Sequence, residues 1–318
     1  EHPDARAVIH RLFKTSDVLV QNLSPGALSR LGLDYSSLQD GFPELIVCNI
    51  TGYGRDGPYA SRKAYDLLVQ AEAGLLSVTG DQDHLAKSGI SIADIAAGTQ
   101  AHSAILAALL ARQQTGHGRE INIAMLDAMV EWMGFPLYYS IDGQPPPPRS
   151  GADHASIYPY GVFQCGDGEP ILLGLQNDRE WRDFCRQILA KPELETDPRF
   201  NSNANRSTNR DALRPLIEAG FANQSRASIT ASLDAAGIAW ANVNDLHAVW
   251  EHPQLKQRHR FASIDTPAGP VPTLRPPADH GNNTLGKVPE LGEDTDKILK
   301  DLNFSQQQIE KLRQNGVI

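Results

Sequence analysis

Apolar residues in the first half of the chain alternate between short continuous runs and stretches with helical spacing. Asp17–Gln21 and Leu45–Thr51 are short apolar runs that predict buried strands, and Glu120–Ala124 is a third strand-like run. Helical spacing lies between them, most clearly over Asp94–Arg112, which is rich in alanine and leucine. This alternation predicts an α/β fold in which helices cover a mainly parallel sheet.

The second half of the chain begins after four consecutive prolines, Pro145–Pro148, which neither continue a helix nor pair in a central strand. They predict a linker, and Gly161–Leu175 beyond it has the pattern of a β-hairpin. Further helices are predicted along the whole chain over Tyr65–Leu76, Leu126–Tyr139, Arg179–Ala190, Arg210–Ala222, Arg226–Ala236 and, as a polar pair, Asp294–Gly316.

Composition and charge narrow the class of protein. The 318 residues are 41% hydrophobic, which excludes a disordered chain, and the net charge of −9 argues against a nucleic-acid partner. The cysteines form no C-x-x-C pair and the histidines lack metal-ligand spacing, so we expect reduced thiols, a cytoplasmic protein and no metal. The longest apolar stretch, Ile121–Ile141, contains Asp127 and Glu131, so no membrane partner is expected. Because the sequence opens at Glu1 within a helical pattern, we expect residues upstream of it.

A glycine pattern at Gly52–Gly57 fits G-x-G-x-x-G and follows a predicted strand. A dinucleotide fingerprint requires a helix that opens directly on the glycines, so that its backbone amides meet the pyrophosphate. Here Pro58 follows and the next predicted helix begins several residues later. The pattern is therefore interpreted as a glycine-rich surface turn.

An aspartate, Asp94, stands where the long alanine-rich helix is predicted to begin. As an N-cap it would accept backbone N–H groups and meet the positive end of the helix dipole, and both effects would keep it ionised. A second interpretation makes it a carboxylate nucleophile beside exposed amides. In that case Gly98 and Ala96–Ala97 would keep the neighbouring surface small and leave room for a substrate. Local pattern alone leaves both interpretations open.

Several short motifs follow one another along the chain on both sides of Asp94. The first is Gln21–Gly32, and the others are Ile50–Gly54, Gly57-Pro58, Ala64–Asp66, Gln70-Ala71, Gly74, Thr79-Gly80, Asp94 with Gly98, Arg112–Gly118 and Leu291–Thr295. In this order the motifs resemble those of the class III CoA-transferases, and Gln21–Gly32 is similar to that family's ENF-x-PG…R-x-G signature. The family includes formyl-CoA and carnitine CoA-transferases and the related α-methylacyl-CoA racemases.

The resemblance implies roles for individual residues. Asp94 falls on the family's catalytic aspartate, and coenzyme A (CoA) is implied as co-substrate. Positions implied to bind CoA or line its pocket are Asn22, Leu23, Ser24, Arg30, Lys63, Tyr65 and Asp66. Gly151 and His154 lie where some transferases have a glycine-rich lid and are candidate substrate contacts, although the single glycine here departs from the lid pattern.

The family's architecture implies an interlocked homodimer of chains with a Rossmann-like large domain and a smaller α+β domain. On that basis we expect a large CoA-binding domain over residues 1–144, whose N-terminal part is absent from this sequence. A linker and small domain would follow over residues 145–285. Residues 286–318 would then return to the large domain.

The function implied is transfer of CoA from an acyl-CoA donor to a small carboxylic acid through an aspartyl anhydride and an aspartyl-CoA thioester on Asp94. The segment Glu131–Tyr139 resembles the subgroup that handles dicarboxylates such as mesaconate, itaconate or citramalate with succinyl-CoA. An α-methylacyl-CoA racemase is the alternative within the fold, but Tyr65 stands where racemases have a histidine, and a phenol is a poor base at neutral pH. A catalytically inactive CoA-binding protein is the alternative outside enzymes.

Overall fold

The computed structural model describes residues 2–278 and 285–318 and has a mixed α/β fold. Its helices are α1 (Pro3–Phe13), α2 (Ala27–Leu31), α3 (Tyr35–Leu38), α4 (Asp66–Glu72), α5 (Leu75–Val78), α6 (Ile92–Thr115), α7 (Met125–Trp132), α8 (Gly134–Tyr139), α9 (Asp178–Asp183), α10 (Asn203–Thr208), α11 (Arg210–Phe221), α12 (Arg226–Ala236), α13 (Leu246–Trp250), α14 (Pro253–Gln257), α15 (Thr295–Asp301) and α16 (Gln306–Gln314). Its strands are β1 (Val18–Gln21), β2 (Ile46–Thr51), β3 (Glu120–Ala124), β4 (Tyr160–Gln164), β5 (Pro170–Gly174), β6 (Ala239–Asn242), β7 (Phe261–Ile264) and β8 (Val271–Leu274).

The first sheet has the order β1-β2-β3, and the parallel pairing predicted for the apolar runs is confirmed for β1 and β2. Val18 lies opposite Ile46 and Gln21 lies opposite Asn49. The first four residues of β2 are buried, as expected for a central strand with both faces covered. Polar residues follow β1 directly at one end of this sheet, and they belong to the loop predicted to bind CoA.

A second sheet contains the predicted hairpin. Strands β4 and β5 are antiparallel, with Tyr160 opposite Gly174, and β6 pairs with the other edge of β5. Aromatic residues fill the core beneath this sheet because burying large apolar side chains is the main favourable term in folding. The fully buried aromatic residues of this core are Tyr158, Phe163, Trp181, Phe184, Phe200 and Phe221.

The chain folds into two compact units. One is formed by residues 1–50, 101–122 and 244–318, and the other by residues 51–100 and 123–243. The first unit has its own apolar cluster around Phe13, Leu38 and Val47. The aromatic core beneath β4 and β5 belongs to the second unit. The division into domains at residues 144 and 285 stays a prediction.

Two predicted helices are each interrupted. The stretch predicted over Leu126–Tyr139 is divided into α7 and α8 at Met133, because Pro136 has no N–H to donate to the Trp132 carbonyl. The stretch over Tyr65–Leu76 is divided into α4 and α5 at Gly74, whose φ of +83° lies in the left-handed region. No helix opens within Gly52–Gly57, since α4 begins only at Asp66, so the surface-turn interpretation agrees with the structure.

Helix α6 is the longest apolar element among the described residues. Its 24 residues are long and apolar enough to cross a membrane by length and composition, and 28% of its most apolar window is buried within the protein. Leu106 and Leu110 on this helix are exposed. The expectation of no membrane partner therefore stays a prediction.

Candidate active site

Asp94 is the third residue of α6 and is exposed to solvent. The helix begins at Ile92, and the Ile95 N–H donates to the Ser91 carbonyl at 3.0 Å, so Ser91 stands before the first helical residue. The prediction that Asp94 caps this helix is therefore wrong. Its carboxylate is carried on the first turn of the helix instead.

The cap of α6 comes from another element. Asp66, the first residue of α4, accepts the N–H of Ala93 at 2.8 Å and the N–H of Asp94 at 3.2 Å through the same oxygen, Oδ1. The Ile92 N–H donates to the Ile90 carbonyl at 2.8 Å. The first-turn amides are thus already bonded, and they are not free to stabilise an oxyanion as the idea of exposed amides beside Asp94 required.

The electrostatic setting of Asp94 is the opposite of the one expected for a cap. Although the residue is exposed as a whole, partial desolvation of its carboxyl by neighbouring protein atoms raises the pKa, and the negative charge of Asp66 raises it further. A carboxylate with a raised pKa is a stronger nucleophile than an ordinary one once it is ionised. The structure therefore brings together two of the predicted site residues, Asp66 and Asp94, as an interacting pair.

A change at Asp94 is expected to stabilise the fold. A carboxyl with a raised pKa in the folded protein binds more protons there than in the unfolded chain, so its contribution to stability falls as pH rises through that window. We expect Asp94→Asn to raise the melting temperature at pH 7, with the gain disappearing below the pKa of an ordinary aspartate, about 3.9. Calorimetry across pH checks this. Asp127→Asn, in the first turn of α7, is the control, and an equal pH-dependent gain there would contradict the interpretation.

A fully buried glutamine, Gln70, supports this pair. Its Nε2 donates to Asp66 Oδ2 at 2.6 Å, and its Oε1 accepts the N–H of Ser88 at 3.0 Å. Gln70 matches a family motif in the sequence, but no role was predicted for it. A buried polar residue on an otherwise apolar helix face was the available signal, because burying an amide costs free energy unless it is hydrogen-bonded.

Open space adjoins Asp94 on its own helix. Gly98 is one turn further along α6, and a side-chain carbon built on it would have no neighbouring atom within 4 Å. Ala96 and Ala97 are buried in the interior, so they do not shape the exposed surface as expected. Gly98 alone supplies the predicted room beside the carboxylate.

The predicted CoA-binding loop, Asn22 to Ser24, follows β1 and is exposed. It is anchored by Gln21, whose Oε1 accepts the Leu23 N–H at 2.8 Å and whose Nε2 donates to Asn49 Oδ1 at 2.8 Å. Asn49 is buried in the central strand and donates in turn to the side chains of Glu120 and Asn122 on β3. This chain of amides across three strands was not predicted, although a polar residue within an apolar strand was its signal.

The predicted basic and aromatic contacts of CoA are all exposed. Arg30 lies on α2 in the same unit as the Asn22–Ser24 loop. Lys63 and Tyr65 precede α4 in the other unit, and the Tyr65 side chain is 70% exposed. Their roles in binding CoA stay predictions.

Gly151 lies at an open cavity of about 430 Å³ in the second unit. Its N–H donates to the Gly80 carbonyl at 2.8 Å, and Arg149 nearby donates to the carbonyls of Asp81 and Gln82, each at 2.7 Å. These bonds tie the segment that corresponds to the glycine-rich lid of some transferases to the loop that follows α5.

His154 is engaged in a local turn. Its Nδ1 accepts the N–H groups of Ser156 and Ile157 at 3.2 and 3.1 Å, and its ring stacks on Tyr160 with the centroids 5.2 Å apart. A nitrogen that accepts two backbone N–H groups carries no proton of its own, which fixes the tautomer of the neutral ring. A substrate contact of this ring stays a prediction.

Comparisons with known proteins agree on one family. The family model described as CoA-transferase family III matches residues 1–295. The succinyl-CoA:glutarate CoA-transferase of Mus musculus is 32% identical over 322 residues, which are 99% of this chain and 73% of that protein. The succinate–glutarate CoA-transferase of Agrobacterium fabrum is 32% identical, with 94% of this chain and 76% of that protein covered.

A solved structure is also similar. The crystal structure of a CAIB/BAIF family protein from Brucella suis superposes with a TM-score of 0.81 at 33% identity, covering 95% of this chain and 79% of that one. The family resemblance inferred from ordered motifs is thereby confirmed, as is the mixed α/β fold. This chain belongs to CoA-transferase family III and is a class III CoA-transferase.

Proposed function

We propose that this protein transfers CoA from succinyl-CoA to a short dicarboxylic acid, with Asp94 as the covalent nucleophile. The observation that carries the proposal is the Asp94 carboxylate itself. It is exposed on the first turn of α6, its pKa is raised beside Asp66, and open space lies next to it at Gly98. The relatives named for succinyl-CoA and glutarate support the choice of donor and acceptor.

Asp94 begins the proposed reaction by attacking the carbonyl carbon of the succinyl thioester. The carbon–sulfur bond breaks, its electron pair leaves with sulfur, and an aspartyl-succinyl anhydride forms beside CoA thiolate. The thiolate then attacks the Asp94 carbonyl, which releases succinate and leaves an Asp94-CoA thioester. An incoming dicarboxylate repeats these two steps in reverse, so that Asp94 is regenerated and the acceptor departs as its CoA thioester. One thioester replaces another, so no other energy source is required.

Trapping of the intermediate tests the covalent role. Hydroxylamine attacks an aspartyl-CoA thioester at its carbonyl carbon, displaces CoA and leaves a hydroxamate on the aspartate. We expect natural full-length protein incubated with succinyl-CoA to yield this hydroxamate at Asp94 on peptide mass spectrometry. Thermal stabilisation by CoA without any adduct or turnover would instead support a CoA-binding protein that lacks catalysis.

A panel of acceptors tests the substrate class. Glutarate, mesaconate, itaconate and citramalate are offered with succinyl-CoA, beside butyrate as a monocarboxylate of similar length. We expect the dicarboxylates to be used with a kcat/KM at least about tenfold above butyrate, since a second carboxylate offers another charged recognition point. Equal use of butyrate would contradict the dicarboxylate assignment while leaving CoA transfer intact.

We also propose that the active protein is a homodimer. Helix α8 exposes large apolar side chains. Among them are Phe135, Tyr138 and Tyr139, each of which is at least half exposed. Contiguous exposed apolar surface is typical of interaction sites. Light scattering of the natural full-length protein would measure the mass, and a monomer at working concentration would contradict this assignment.

A prediction for CoA binding follows from the buried amide Asn49. Asn49→Leu removes the partner of Gln21 and so releases the loop from Asn22 to Ser24. We expect the KM for succinyl-CoA to rise roughly tenfold with kcat retained, because the loss falls on binding common to ground and transition states. Asn205→Leu is the matched control: it removes comparable amide bonds near Pro198 and should leave KM unchanged.

A further inference from the structure

The buried amide of Gln70 joins the two segments that position Asp94. On one side it donates to Asp66, which holds the first turn of α6 through the N–H groups of Ala93 and Asp94. On the other side it accepts from Ser88, in the segment that leads into the same helix. One side chain thus fixes both the cap of α6 and the approach to it.

The orientation of this amide is determined by its partners. The Ser88 backbone N–H is able only to donate, so the Gln70 oxygen faces Ser88 and the Gln70 NH₂ group faces the Asp66 carboxylate. Gln70 is fully buried, so either partner left alone would incur a desolvation penalty. The arrangement therefore accepts only a group that donates towards Asp66 and accepts from Ser88.

We propose that Gln70 is a positioning residue that holds Asp66 at the start of α6 and thereby sets both the place and the charge of Asp94. Its effect on turnover rests on the proposed role of Asp94 as nucleophile. Its effect on the Asp94 carboxyl itself does not, and this difference allows the two ideas to fail separately.

Other charged groups lie on the elements around the pair. Asp66 is the charged neighbour that raises the pKa of Asp94. Titratable residues on the packed and adjoining elements include Glu72 on α4, Asp127 and Glu131 on α7, His102 and Arg112 on α6, and Lys87 before Ser88. Lys87 donates to the Ser88 carbonyl, and Glu131 accepts from Gln100.

Gln70→Glu gives the first test. A protonated glutamic acid donates to Asp66 and accepts from Ser88 as glutamine does, whereas an ionised one places a second carboxylate against Asp66. Burial and the Asp66 charge favour the protonated form up to mid-range pH. We expect kcat to match wild type within about threefold there and to fall roughly 10- to 100-fold as pH rises to about 9. A residue that served only the fold would not add this descending limb.

Exchange of the two groups gives the second test. In Asp66→Asn alone, the new NH₂ group opposes the NH₂ group of Gln70. In the double variant Asp66→Asn/Gln70→Glu, the new amide at position 66 donates to the new carboxylate at position 70. That carboxylate still accepts from Ser88, so the bond between the two exchanged groups returns with its polarity reversed. We expect the Asp66→Asn variant to lose kcat roughly 10- to 100-fold and the double variant to recover to within about fivefold of wild type. Because the negative charge moves away from Asp94, its pKa in the double variant should lie below that in wild type.

Two control variants separate positioning from general damage. Gln100→Glu makes the same chemical change on α6, against Glu131, where Gln100 Nε2 donates to the carboxylate at 2.6 Å. Its pH profile should match that of wild type. Gln70→Met keeps the size of the side chain but removes both bonds, and we expect a kcat loss that does not vary with pH above the acid limb.

The Asp94 carboxyl is also followed without turnover. Carboxyl ¹³C titration of the natural full-length protein, assigned by difference from Asp94→Asn, reports the Asp94 pKa in each variant. A lower value than in wild type is expected in the double variant, because its negative charge lies at position 70 instead of position 66. Unchanged titration in every Gln70 variant, or a double variant no better than Asp66→Asn alone, would overturn the inference. If Asp94→Asn kept full transferase activity while these titrations shifted as expected, the proposed function would fail and the positioning role would stand.

Discussion

Asp94→Ala is expected to reduce CoA transfer by at least about a thousandfold, because the proposed covalent route through the aspartyl anhydride disappears with its proposed nucleophile. The loss should fall on kcat, since in the proposed scheme Asp94 forms bonds only during the reaction. The KM for succinyl-CoA should change little. Transfer of label from succinyl-CoA to an acceptor acid, measured with natural full-length protein, checks both parameters.

The matched control is Asp127→Ala, which removes another aspartate from the first turn of a helix in the same unit. We expect it to keep activity within about threefold of wild type, as a change away from the reacting groups usually does. Residual transfer by Asp94→Ala at more than about a tenth of the wild-type rate would rule out the covalent scheme.

Arg206→Met is expected to give the largest loss of stability. Arg206 is buried in the aromatic core of the second unit, where it donates to the carbonyls of Tyr158 at 2.9 Å and Phe200 at 3.1 Å. Its guanidinium also lies 4.9 Å from the ring centre of Trp181. Methionine fills similar volume but leaves both buried carbonyls without these donors, so we expect a loss of about 3 kcal/mol in the free energy of unfolding.

Urea denaturation measures this loss, and Arg186→Met is its control. Arg186 makes two hydrogen bonds to Glu195, at 2.9 and 3.1 Å, but its side chain is 57% exposed. Exposed ion pairs contribute little, so we expect the control to cost less than about 1 kcal/mol. Equal losses in both variants would show that burial of Arg206 is not the source of its effect.

The strands of the first sheet were the best predicted part of the fold, whereas β6, β7 and β8 were not predicted. The apolar runs at β1 and β2 were placed within one residue of their observed starts, and β3 was placed correctly, because a continuous apolar run bounded by polar residues leaves little choice of position. Helix continuity was less predictable. Gly74 and Pro136 interrupt helices whose apolar spacing continues across the break, so periodicity alone does not show where the backbone changes direction.

The candidate site shows a sharper limit. Asp94 was singled out at the predicted start of a helix, and the family motifs implied its catalytic role. The other interpretation, a helix cap, was wrong because the cap, Asp66, lies 28 residues earlier in the chain. Capping by a side chain from another helix depends on tertiary packing, which local spacing does not encode. The roles of the buried amides of Gln70 and Asn49 were not predicted for a related reason. Each is a single polar residue in an apolar segment, and its role becomes clear only from the residues that it hydrogen-bonds in the folded protein.

Gly98 makes α6 less stable than another residue at the same position would. A glycine inside a helix is less favourable than alanine by roughly 1 kcal/mol, and nothing crowds this position. Alanine here should therefore make the helix more rigid, whereas valine or leucine would narrow the approach to the neighbouring carboxylate. The size of the side chain at position 98 should therefore limit the length of the acyl chain that is accepted. Each methyl group added to this side chain would shift the substrate preference towards smaller acids before turnover is lost.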